Sequence, residues 1–103
     1  MTFKEFLEYM ENNLNNRDTF YKKALDDQIA RNARRLAAKR WNEQKINRVI
    51  DRQWSDMMKN VYDKFKTNIK INPSNPFNSW IDYIERNDAL ESLDEMIVDL
   101  EFE

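Results

Sequence analysis

Apolar residues in the middle of the chain recur at Ile46, Val49, Ile50, Trp54, Met57, Met58, Val61, Phe65 and Ile69. Steps of three and four lay them along one face of an α-helix, and neither proline nor glycine interrupts the run. Asn42 can cap its start, with Trp41 and Ile46 placed as a hydrophobic staple across the cap. Asn72-Pro73 closes the run, because proline disfavours helical geometry in the residue before it. The pattern predicts a helix over about residues 42–70, roughly 40 Å long at about 1.5 Å per residue. Such a helix is longer than a domain of this size is wide, so shorter helices must dock along it.

Those shorter helices are visible on either side. Thr2 and Glu5 have capping-box spacing ahead of Phe3, Phe6, Leu7, Met10 and Leu14, which predicts a short first helix ending in an asparagine cluster. Asp18 or Thr19 can cap a second helix carrying Phe20 or Tyr21, then Leu25, Ile29, Ala33 and Leu36 on one face, to about Arg40. It either forms an antiparallel hairpin with the long helix or, if Asn42 fails as a cap, fuses with it. After the turn Asn72-Pro73-Ser74-Asn75-Pro76, Pro76 suits the first position of a helix with Phe77, Trp80, Ile81 and Ile84 on its buried side. Asp88 and Glu91 repeat the capping-box spacing before Leu90, Leu93, Ile97 and Leu100. No strand is indicated. The expectation is one all-α domain of about five helices packed along one long central helix. It divides into a short acidic helix (1–16), a basic hairpin (17–71) and acidic C-terminal helices (72–103).

Composition narrows the chemistry. The 103 residues include no glycine, no cysteine and no histidine. Gly-rich phosphate loops and dinucleotide fingerprints are excluded, and left-handed turn positions are expected to fall to asparagine. Without histidine or cysteine, the commonest general base and the thiol nucleophile are both missing. Ser55, Ser74, Ser79 and Ser92 have no identifiable activating partner. The acidic neighbours Asp26-Asp27 and Asp94-Glu95 point apart on a helix. Zinc lacks its usual ligands and a calcium loop lacks its glycine, so no cofactor or metal is expected, and no enzyme. With no leader or membrane-spanning run visible, the expected location is a bacterial cytoplasm.

Charge changes the picture more. Residues 17–70 hold fifteen Lys and Arg against seven Asp and Glu, a net of +8. Residues 71–103 hold one Arg against nine acids, a net of −8, and the first sixteen residues supply the remaining −2. Arg31, Arg34, Arg35 and Lys39 fall opposite the apolar stripe of the second helix, and Arg40, Lys45, Arg48 and Arg52 continue the charge into the third. Guanidinium groups at helical spacing can track phosphates, so the set is a candidate surface for nucleic acid or an acidic protein. The plain alternative is a solvated helix face with Asp27 and Arg31 as an i,i+4 pair. Asp94, Glu95, Asp99 and Glu101 form the opposite candidate, a surface for a basic partner. They are alternatively a cover folded over the basic hairpin, or an ordinary acidic face. Trp41, Trp54, Trp80, Phe65, Phe77 and Tyr62 are read as core before they are read as base-stacking platforms.

Thr2-Phe3-Lys4-Glu5-Phe6, Ala38-Lys39-Arg40-Trp41-Asn42, the Trp54 to Met58 region and Trp80-Ile81-Asp82 together resemble small proteins of mobile elements, plasmids and phages of low-GC Gram-positive bacteria. Anti-CRISPR proteins are a recurrent class of that origin and size. The resemblance implies a non-enzymatic inhibitor that blocks a type II RNA-guided nuclease or its guide RNA. It carries over no functional residue. The competing expectations are a small nucleic-acid-binding regulator and a self-associating structural or assembly protein of a phage or mobile element. A protein or ribonucleoprotein target is expected, with a homo-oligomer open, and neither a membrane nor a small-molecule substrate.

Overall fold

The computed structural model describes residues 1–102. Five α-helices form: α1 (Phe3–Asn13), α2 (Arg17–Ala33), α3 (Glu43–Asn68), α4 (Pro76–Arg86) and α5 (Ala89–Asp99). A 3-10 turn at Ala37–Lys39 separates α2 from α3, and there is no strand among the described residues. The all-α expectation holds, and α3 is the long helix that the apolar period predicts. It ends at Asn68, with Ile69 already extended, a little short of the expected residue 70.

The two predicted caps that matter most are both made. Thr2 Oγ1 accepts from Glu5 N at 3.2 Å while Glu5 Oε1 accepts from Thr2 N at 2.8 Å. Asn42 Oδ1 accepts from Lys45 N at 2.8 Å, which fixes where α3 begins.

α1 and α2 lie end to end along α3, both antiparallel to it. Near the C-terminal end of α3, Phe3 and Phe6 meet the Tyr62 ring at 5.5 and 5.3 Å, and Tyr62 donates to the Met1 carbonyl at 2.8 Å. Midway, Trp54 meets Phe20 at 5.1 Å and donates its indole N–H to Glu11 at 3.3 Å. Nearer its start, Tyr21 donates to Asp51 at 2.9 Å. α4 and α5 make the third layer. Trp80 of α4 stacks on Tyr62 with ring centroids 4.8 Å apart, and α5 packs on α2 and α4. The molecule is a rod of 56 × 23 × 21 Å.

Every fourth residue of α3 is buried: Ile46, Ile50, Trp54, Met58 and Tyr62. This single ridge meets Phe6, Met10 and Leu14, then Phe20 and Ala24, then Trp80, Ile84, Ala89, Leu93 and Ile97 in one continuous core.

Three expectations are corrected. First, α2 stops at Ala33 rather than about Arg40, and its buried residues are Phe20, Ala24 and Gln28. Leu25 and Ile29 are exposed, and Leu36, beyond the helix, is 74 % exposed. Two rows compete on α2 about 100° apart, Phe20, Ala24 and Gln28 against Tyr21, Leu25 and Ile29. The row beginning at Phe20 wins, because that ring is held between Trp54 and Phe102. Second, α2 starts at Arg17 after Asn16, not at an Asp18 or Thr19 cap, and Asn16 makes no side-chain cap bond. Third, Asp88 forms no capping box with Glu91. It adopts φ 49° and ψ 39°, the left-handed region, and makes the sharp joint between α4 and α5. It is the only positive-φ residue among those described, so the position expected for asparagine went to aspartate.

Candidate nucleic-acid interface

The segment from Arg34 to Asn42 turns the chain from α2 into α3, and one side chain closes it. Asn32 Oδ1 accepts from Trp41 N at 2.8 Å while Asn32 Nδ2 donates to the Trp41 carbonyl at 3.0 Å. The amide thus pairs with both polar groups of one backbone residue and clamps the nine-residue turn. Arg40 reinforces it by donating to the carbonyls of Arg35 (3.2 Å) and Ala33 (3.4 Å), which the end of α2 leaves unpaired. Arg35 donates to Asn32 Oδ1 at 3.1 Å and lays its guanidinium over the Trp41 ring, 3.8 Å from the centroid. Lys45 Nζ sits 4.7 Å from that centroid. Each contact combines a charge with a ring face.

Around this frame lies an open concavity of about 440 Å³ lined by Lys39, Arg40, Trp41, Asn42, Lys45 and Arg48. Lys45, Arg48 and Arg52 follow one another at steps of three and four, so they share a face of α3. Arg34 and Lys39 are exposed beside them. Arg34, Lys39 and Arg52 make no side-chain hydrogen bond or ion pair among the described residues. The eight candidate cations therefore sort into two groups. Arg31, paired with Asp27 at 2.8 Å, Arg35 and Arg40 hold the turn or its approach together. Arg34, Lys39, Lys45, Arg48 and Arg52 present charge outward. Asn32 is the residue that sequence reasoning missed, since an asparagine nine positions before a tryptophan carries no periodic signal.

The acidic candidates do not form one face. Asp94 is 9 % exposed, and its carboxylate accepts from Asn15 N (3.0 and 3.1 Å) and Asn16 N (3.0 Å). It caps the start of α2 from α5 and is largely buried there. Lys23 of α2 answers by donating to the carbonyl of Leu100 at 3.0 Å and to that of Val98, at the end of α5. Glu95 and Asp99 line a groove beside α5, whereas Glu101 lies on the far side with Lys23, Asp26 and Asp27.

Of the aromatic set, Trp54, Trp80 and Tyr62 are buried and Phe65 is partly buried against the core. Trp41 is partly buried at the basic turn, and Phe77 is 38 % exposed. Ser79 accepts from Asn72 N at 3.0 Å and donates to the Asn75 carbonyl, which fastens the loop before α4. Among the described residues, no helix is long and apolar enough to cross a membrane, and no group of three or more acidic side chains is arranged to hold a metal ion. In comparisons with family models, curated proteins and solved structures, nothing matches this chain.

Proposed function

We propose that this chain is a non-catalytic inhibitor that works by occupying an anionic surface. In its most concrete form it is an anti-CRISPR protein that binds a type II RNA-guided nuclease or its guide RNA. The supporting observation is the gathering of Lys39, Arg40, Lys45 and Arg48 around Trp41 in one open concavity at a clamped turn. Cations gathered in this way can meet successive phosphates, and the clamped turn fixes the backbone that carries Lys39 and Arg40. The Ala38 to Asn42 segment that carries the resemblance to mobile-element proteins is the same turn.

The test uses the purified chain, a guide-loaded type II nuclease and labelled guide RNA. Cleavage should fall in proportion to added protein and stop near equimolar amounts. Lys39→Gln/Lys45→Gln/Arg48→Gln should relieve the block and weaken RNA binding about tenfold or more, while far-UV circular dichroism stays helical. The salt dependence of RNA binding should flatten by roughly 0.7 per lost contact, about 2 in all. Complete inactivation by a few per cent of the molar amount of nuclease would mean turnover and reject the reading. Absence of both inhibition and RNA binding at low salt would reject it as well. RNA or DNA binding without inhibition would favour the regulator instead.

A further inference from the structure

The basic turn ends in an apolar point that phosphate binding does not explain. Leu36 is 74 % exposed at its apex, followed by exposed Ala37 and Ala38, with Arg34 and Arg35 on one side and Lys39 and Arg40 on the other. The third layer does not reach it. Among the described residues, the chain after α5 extends along α2 only to the neighbourhood of Asp27. Past that level the rod is two helices thick, and Ile29 is 52 % exposed as well.

A feature of opposite character lies on the flank of the same molecule. Where α1 gives way to α2, a groove of about 620 Å³ runs between that junction and α5. Leu90 and Val98 supply its apolar surface, with Val98 49 % exposed, and Glu91, Glu95 and Asp99 stand along it. None of the residues lining the groove is a cation. The apex is a leucine ringed by positive charge, and the groove is a largely polar slot in which Leu90 and Val98 are set among carboxylates and the asparagines of the α1–α2 junction. The same division separates the +8 of residues 17–70 from the −8 of residues 71–103.

We propose that the occupant of the groove is the Leu36 apex of a second copy of this chain. The contact joins two different patches. Made once per pair it is head-to-tail and repeats into an open chain or a closed ring, and made twice, reciprocally, it closes a two-fold dimer. Its strength depends on opposite charges at exposed positions and therefore falls as salt rises. It goes beyond the proposed inhibition and draws on a surface, the groove, that the inhibition does not use.

The experiment is sedimentation equilibrium at low and high salt with two charge-reversed variants. Arg34→Glu/Lys39→Glu alters the apex and spares Arg35 and Arg40, which hold the turn. Glu91→Lys/Glu95→Lys alters the groove and spares Asp94, which caps α2. The native chain should exceed its 12.6 kDa monomer mass at high concentration and low salt, and return to it at high salt. Each variant alone should stay monomeric, and an equimolar mixture of the two should associate again, because each reversed patch finds its complement on the other. Leu36→Ser should lower the association without altering helicity. A native chain that stays monomeric at millimolar concentration and low salt overturns the proposal. So does association that survives in either variant, or a mixture that fails to recover. Leu36→Ser keeps every charge of the basic turn, so its RNA binding reports on the proposed inhibition separately.

Discussion

Asp94 stands in a run of carboxylates that looks uniform along the chain, yet its side chain alone turns inward to hold the backbone of Asn15 and Asn16. Removing it leaves two partly buried N–H groups without an acceptor, and a charge-assisted pair of this kind costs about 2–3 kcal/mol to lose. Asp94→Ala should therefore lower the urea midpoint at unchanged slope, and an unmoved midpoint would assign the cap no weight. Tyr21 gives the second prediction at this scale. Burial, and then its hydrogen bond to Asp51, push its hydroxyl from 10.0 up to about 12. The folded state favours the neutral phenol, so this contribution is full below about pH 10 and is lost as the pH rises towards about 12. Alkaline melting curves should show that loss in the native chain and less of it in Tyr21→Phe. Identical pH profiles would mean that the hydroxyl is as well solvated folded as unfolded.

Among the elements, α3 was legible because its buried row of every fourth residue is accompanied by the half-buried apolar Met57, Val61 and Phe65, which together make a strong helical period. Trp54 sits in the middle of the ridge at 2 % exposure and touches both Phe20 and Glu11. Trp54→Ala should destabilise the fold by about 3–5 kcal/mol, read from thermal or urea unfolding, and a melting curve that does not move would contradict the ridge. α2 was less legible. The row richer in apolar residues, with Leu25 and Ile29, is the one left exposed, because which row is buried depends on where Phe102 and α5 end, a tertiary fact no local window contains. The joint at Asp88 misled for a related reason. The spacing to Glu91 is that of a capping box, but α4 and α5 meet so closely that the backbone must turn left-handed there instead. The basic cluster was legible as composition. Its division into turn-holding and outward-facing cations was not, because it rests on Asn32 and on the carbonyls that Arg40 reaches.

At the scale of the whole molecule, three layers surround Trp54 and Tyr62, and two remain at the basic end. The contacts holding these parts differ greatly in how much chain they enclose. The Asn32–Trp41 clamp spans nine positions, whereas Asp94 reaches the start of α2 across 78 and Tyr62 reaches Met1 across 61. Closing a short loop costs less entropy than closing a long one, so the α2–α3 hairpin is the natural first structure on the way to the native state. On that order α5 docks on α2 after the hairpin, carrying the cap for a helix that has already formed. The loss predicted for Asp94→Ala should consequently appear almost wholly as faster unfolding, with the refolding rate in stopped-flow mixing little changed. A matching drop in the refolding rate would place α5 in the nucleus. As a late-closing latch, Asp94 governs how long the molecule stays shut rather than how quickly it forms.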